Sequence, residues 1–164
     1  MAIKYINPIS LIQNGQQKVS KAFTEGENLK HCCDHNLGIH MEIAGKAMLE
    51  GRLSSLLSLC DEKLEDPSYG FSQNVLQPSY EFIIGSSDDK ELLDRAYFGL
   101  ATLHLKGYLF EDLTIEDRYK LPTKQTVAIA DQLIEKVSND QLYDKWTDQV
   151  RSPYIRRKQR RAKV

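Results

Sequence analysis

Residues 88–107 constrain the fold more than any other stretch of the chain. Leu93, Ala96, Tyr97, Leu100 and His104 recur at the i, i+3, i+4 spacing of one buried helical face. The run opens on Ser86, Ser87, Asp88 and Asp89, which supply capping oxygens and negative charge at the dipole's positive end. It closes on Gly107, a residue able to take φ > 0. Ala96, Gly99 and Ala101 are small enough to admit a neighbouring helix, and a second amphipathic segment from Thr123 to Ser138 suits that role.

The rest of the chain reads in the same helical period. Asn7 followed by Pro8 is a helix start with a capping side chain and proline in the first turn. Ile9, Ile12, Val19 and Phe23 mark one face of a helix from 8 to about 24, in which Gly15 costs about 1 kcal/mol relative to alanine. Gly26 ends it. A short helix is expected over 27–35, a break at Asn36-Leu37-Gly38, and another helix from Ile39 to Glu50 closed by Gly51. Leu53, Leu56, Leu57, Cys60 and Leu64 define the next amphipathic helix, which Asp66-Pro67 stops. Residues 66–78 read as a long loop, and 79–84 as a short helix that also has strand character. Residues 108–121 are acidic and aromatic, with a single turn expected near Thr114. Leu142, Trp146 and Val150 share one side of a last segment, beyond which Ser152-Pro153 introduces a tail. About eight helices and no strand make the expected class all-α, with stacked antiparallel hairpins or an irregular bundle.

The central stretch resembles the first helix of a Sel-one-like repeat, a branch of the tetratricopeptide-like families. Ala96, Phe98, Leu100, Ala101, His104-Leu105 and Gly107 occupy its small, aromatic, leucine, small, bulky and glycine places, with His104 where an aromatic is common. Ala130, Leu133, Ile134 and Val137 match the second helix. Ala44-Gly45, Met48-Leu49, Gly51, Leu53, Leu56, Leu57 and Cys60 echo the same pattern upstream. The resemblance implies stacked helix pairs and a protein-binding scaffold. Its departures are the 56-residue separation of Gly51 and Gly107, against a period of about 34, and the long link from Gly107 to Thr123.

Composition places the chain among ordinary globular domains: 164 residues, 41% hydrophobic and 27% charged. No run reaches the roughly 18 apolar residues of a membrane span, and the N-terminus shows no apolar stretch of a secretory signal. Three cysteines, Cys32, Cys33 and Cys60, make no disulfide framework, so a cytoplasmic setting is expected. Net charge is −1, but residues 151–164 hold seven of the 22 Lys and Arg and no acid. The first 150 residues therefore carry 15 basic against 23 acidic groups, a net −8 facing +7. A single domain over 1–150 followed by a flexible basic tail over 151–164 is the expected organisation.

Chemistry-bearing motifs are sparse. His31 and His35, at i, i+4 beside Cys32 and Cys33, are the one clustering of metal-ligand types, and exposed histidines beside buried cysteines explain it as well. No GxSxG, Walker loop, dinucleotide fingerprint or calcium loop is present. Paired acids such as Asp88-Asp89, Glu111-Asp112 and Glu116-Asp117 read as solvated caps. No enzyme, cofactor or resident metal is expected. The expected function is a protein-interaction module, a helical scaffold, adaptor or inhibitor with an inter-helix groove rimmed by Tyr69, Phe71, Tyr108 and Phe110. The alternative is nucleic-acid binding through Arg151, Arg156, Arg157, Lys158, Arg160, Arg161 and Lys163, whose guanidinium stripe suits phosphates when helical. A solubilising role, an acidic protein partner, and docking onto this chain's own acidic body or a second copy remain open for the same residues.

Overall fold

The computed structural model describes residues 6–24, 29–65, 67–109 and 122–162, and within them the side chains other than those of 23, 24, 29–33, 69, 158, 161 and 162. The elements are α1 (Pro8–Thr24), α2 (Leu29–Leu49), α3 (Leu53–Lys63), α4 (Tyr69–Phe71), a π-helical turn π1 (Ser72–Leu76), α5 (Gln77–Ser86), α6 (Lys90–Leu105), α7 (Lys124–Ile134), α8 (Asp140–Lys145), a second π segment π2 (Trp146–Arg151) and α9 (Ser152–Ala162). Since α4–π1–α5 and α8–π2–α9 run without a break, the described residues form seven continuous helices and no strand.

Helix starts and stops follow local chemistry. Asn7 Oδ1 accepts from the N–H of Ile9 at 3.0 Å and of Ser10 at 3.4 Å. Asp89 Oδ1 accepts from Leu92 N–H, and Asn139 Oδ1 from Leu142 N–H, each at 3.1 Å. Thr123 and Thr126 exchange side-chain and backbone bonds in a capping box. Gly51 and Gly107 end α2 and α6 at φ of 69° and 74°, where an L side chain would be strained.

Three expectations are corrected. The break at Asn36-Leu37-Gly38 does not occur: α2 runs through it as one helix. Gly38 and Gly15 are instead the point where α1 and α2 touch, since a Cβ on either would lie 2.6 Å from the other's carbonyl oxygen. Gly45 makes a similar contact with Ile12 and the Pro8 carbonyl. Backbones this close exclude side chains, so glycine here serves packing and not chain reversal.

The 66–78 stretch, expected as loop, is helical from Tyr69 onward, and the helix 79–84 is its continuation. Likewise 152–162, expected as a flexible tail, is the last half of the helix that begins at Asp140. Each of these helices runs through a proline. In each case the residue just before it closes an i→i−5 bond: Gln77 N–H to the Ser72 carbonyl ahead of Pro78, and Ser152 N–H to the Thr147 carbonyl ahead of Pro153. The wide turn makes room for the ring and leaves it no donor duty, so the helix continues past a residue that ordinarily ends one.

At the centre α6 packs against α3, α5, α7 and π2, while α1 packs chiefly on α2. Leu100, Ala101, Leu103 and Leu105 are fully buried, with Leu56, Leu57, Cys60, Val75, Leu76, Ile83 and Trp146 around them. The space over Gly99 is filled by the buried ring of Tyr80 from α5, although α7 does pack along α6.

Candidate functional site: the charged face of the last helix

Several ionisable groups tie helices together. Asp94 of α6, 6% exposed, accepts from the N–H and the hydroxyl of Ser138, both at 2.9 Å, and from Asn139 N–H at 3.1 Å. Asp61 of α3 accepts from the Tyr80 hydroxyl at 3.0 Å and from Arg95 Nη2 at 2.9 Å, linking α3, α5 and α6. Asp131 of α7 receives Arg151 in a bidentate pair, Nε to Oδ1 at 2.9 Å and Nη2 to Oδ2 at 3.0 Å. Arg151, expected with the tail's partner-binding residues, thus anchors the last helix to the body.

Buried groups with reactive chemistry are held in inert forms. Burial pushes the Cys60 thiol up to about 12, with Asp61 adding to the shift and the Ser79 hydroxyl opposing it. The Tyr80 phenol is raised by burial and by neighbouring Asp61. Burial lowers His104 to about 4, and among the described residues neither of its ring nitrogens has a hydrogen-bond partner, so it packs as a neutral ring.

The other expected site residues are scattered. Phe71 lies edge-on to His40, centroids 5.2 Å apart, at an open cleft of about 390 Å³ also lined by Leu37, Lys63 and Pro67. His40 Nδ1 lies 2.8 Å from the Asn36 carbonyl. Tyr108 is half-buried against the core. The side chains of Tyr69, His31, Cys32 and Cys33, and all of Phe110, lie outside the described residues, and among those described no group of three metal-ligand types comes together. No described helix is long and apolar enough to cross a membrane.

The last helix organises its charges most clearly. Leu142, Trp146, Val150 and Tyr154 face the core, with Trp146 1% exposed. The row opposite, at four-residue intervals, is Asp140, Asp144, Asp148, Ser152, Arg156 and Arg160; the five charged members are exposed and Ser152 is half-buried. None of those five has a side-chain ion pair or hydrogen bond among the described residues. Arg157, on the flank, is exposed and donates from Nε to the Pro153 carbonyl at 3.5 Å. Lys158, Arg161 and Lys163 have side chains outside the described residues. Sequence reasoning found the arginines and missed the aspartates, because the i+4 row is visible only once Pro153 is allowed inside the helix.

Comparison with protein-family models, with curated proteins and with solved structures returned no match.

Proposed function

We propose that this chain is a non-catalytic protein-interaction module, a small helical scaffold or adaptor. The observation that carries this reading is the division of its ionisable residues. Asp61, Arg95, Asp94, Asp131 and Arg151 are engaged in holding helices together, whereas Asp140, Asp144, Asp148, Arg156 and Arg160 have no side-chain partner among the described residues and stand on the outer face. Exposed charges without internal partners contribute little to folding and are available for recognition. The cleft beside Phe71 supplies an inter-helix groove of the kind such modules use.

The test is affinity capture from the native host with the full chain as bait, with and without nuclease. A discrete protein retained by the wild type and lost by a chain altered at the outer face or at Phe71 supports the module. Retention of nothing but nucleic acid, or of nothing at all, sinks it.

A second reading rests on Arg156, Arg157 and Arg160, an exposed basic surface on a helix. Nucleic acid held by three such contacts would show a logarithmic salt slope of about −2 on a single strand. Labelled single-stranded RNA titrated against the wild type and the triple alanine variant decides it: equal binding by both removes this reading. Substitution is preferable to truncation at 151, which would also strip the Arg151–Asp131 anchor.

A further inference from the structure

The outer ridge of the last helix changes sign once along its length. Asp140, Asp144 and Asp148 precede Ser152, and Arg156 and Arg160 follow it, on a continuous helix of 23 residues (6, 6 and 11 in its three parts). In an α-helix a four-residue row drifts by about 40° per step. The i→i−5 segment π2 turns less per residue and takes back part of that drift, which keeps the two halves of the row nearer one line. The row lies opposite the core-facing side of the helix, so nothing on its own element obstructs approach.

Resting on the interaction-module reading, we propose that the partner of this ridge is a second copy of the chain, with the two last helices packed antiparallel about a two-fold axis at Ser152. Reversing the helix direction inverts the order of charges, so the ridge is its own complement. With Ser152 facing Ser152 of the second copy, Asp148 meets Arg156 and Asp144 meets Arg160, each pair occurring twice by symmetry. This is the isologous geometry of a two-fold interface, and a small residue at the axis lets the helices approach closely.

The charge order also favours a second copy over a polyanion. A nucleic-acid backbone drawn to Arg156 and Arg160 would be repelled by Asp140, Asp144 and Asp148 along the same ridge. A surface of alternating halves satisfies both ends at once. Because each pair is exposed and small in energy, the dimer is reversible, concentration-dependent and loosened by salt.

Sedimentation equilibrium of the full chain tests this. At low ionic strength the average mass should climb above the 18.8 kDa monomer as concentration rises, and return to it in high salt. A chain carrying Arg156→Glu with Arg160→Glu, and a chain carrying Asp144→Lys with Asp148→Lys, should each dimerise about tenfold more weakly or worse. Mixed in equal amounts the two should form a heterodimer, because every facing pair is then attractive. Circular dichroism checks that each variant folds; should one not, the neutral pairs Arg156→Gln with Arg160→Gln and Asp144→Asn with Asp148→Asn should both weaken the wild-type dimer. A wild type monomeric at all concentrations, reversed chains that dimerise undiminished, or a mixture that stays monomeric would each overturn the pairing. Those outcomes leave the module reading intact, since that one stands or falls on the capture of a different protein.

Discussion

Asp94 caps a turn that it does not belong to. Its carboxylate, on the second turn of α6, accepts the Ser138 N–H and hydroxyl at 2.9 Å each, 44 residues further along the chain. The bonds lock the entrance of the last helix against the central one, so the position of the charged ridge depends on a residue outside it. Replacing Asp94 by alanine would leave two backbone N–H groups and a hydroxyl without their acceptor. A loss of about 2–3 kcal/mol is expected, with asparagine costing less because it keeps one acceptor oxygen. Urea unfolding at neutral pH measures both.

Gly15 offers a test of sign. Helix propensity alone predicts that Gly15→Ala stabilises by about 1 kcal/mol. The crossing of α1 and α2 predicts the reverse, because the added Cβ would fall 2.6 Å from the Gly38 carbonyl oxygen, a backbone atom that cannot rotate away. Destabilisation of about 1–3 kcal/mol is expected. A rise in the thermal midpoint would show that the helices can separate at no cost.

His104 makes stability depend on pH below neutrality. Its folded-state value is lowered by burial to about 4 from the ordinary 6.5. Between these values the unfolded chain holds the extra proton, so the contribution is complete above pH 6.5 and is lost as pH falls towards 4. The loss amounts to about 3 kcal/mol at most. His104→Leu has no such proton to take up, and its urea midpoint should fall less than that of the wild type between pH 7 and pH 5. Parallel curves would mean the imidazole is hydrated in the native state.

Trp146 is the hold of the last helix on the core. It is 1% exposed, and its truncation to alanine should cost about 3–5 kcal/mol. Limited proteolysis within 140–162 should accelerate along with global unfolding. Disrupting the Arg151–Asp131 pair, whose side chains are 31% and 39% exposed, should cost under about 1 kcal/mol. A double-mutant cycle on that pair measures the coupling directly.

The amino-acid sequence by itself determined what depends on near neighbours in the chain. Asn7-Pro8, Asp89, Thr123 and Asn139 start helices because a side-chain oxygen reaches a backbone N–H two or three residues away, and Gly51 and Gly107 end them because only glycine takes their φ cheaply. The all-α class followed from that and from the period of the apolar residues. Tertiary structure decided whatever needed a partner distant in sequence. Gly15 and Gly38 became a helix crossing and not a weakness and a break, because each faces the other's backbone. Gly99 received the Tyr80 ring, a contact no local pattern encodes. Pro78 and Pro153 sit inside helices because the wide turn ahead of each spares the ring its clash, while burial of Val75, Leu76 and Trp146 within the flanking π segments holds them in the core. With Pro153 inside a helix, the arginines of 156–160 and the aspartates of 140–148 share one face. That juxtaposition of charge was present in the spacing all along, but only packing of the helix against the core turned it outward as a single surface.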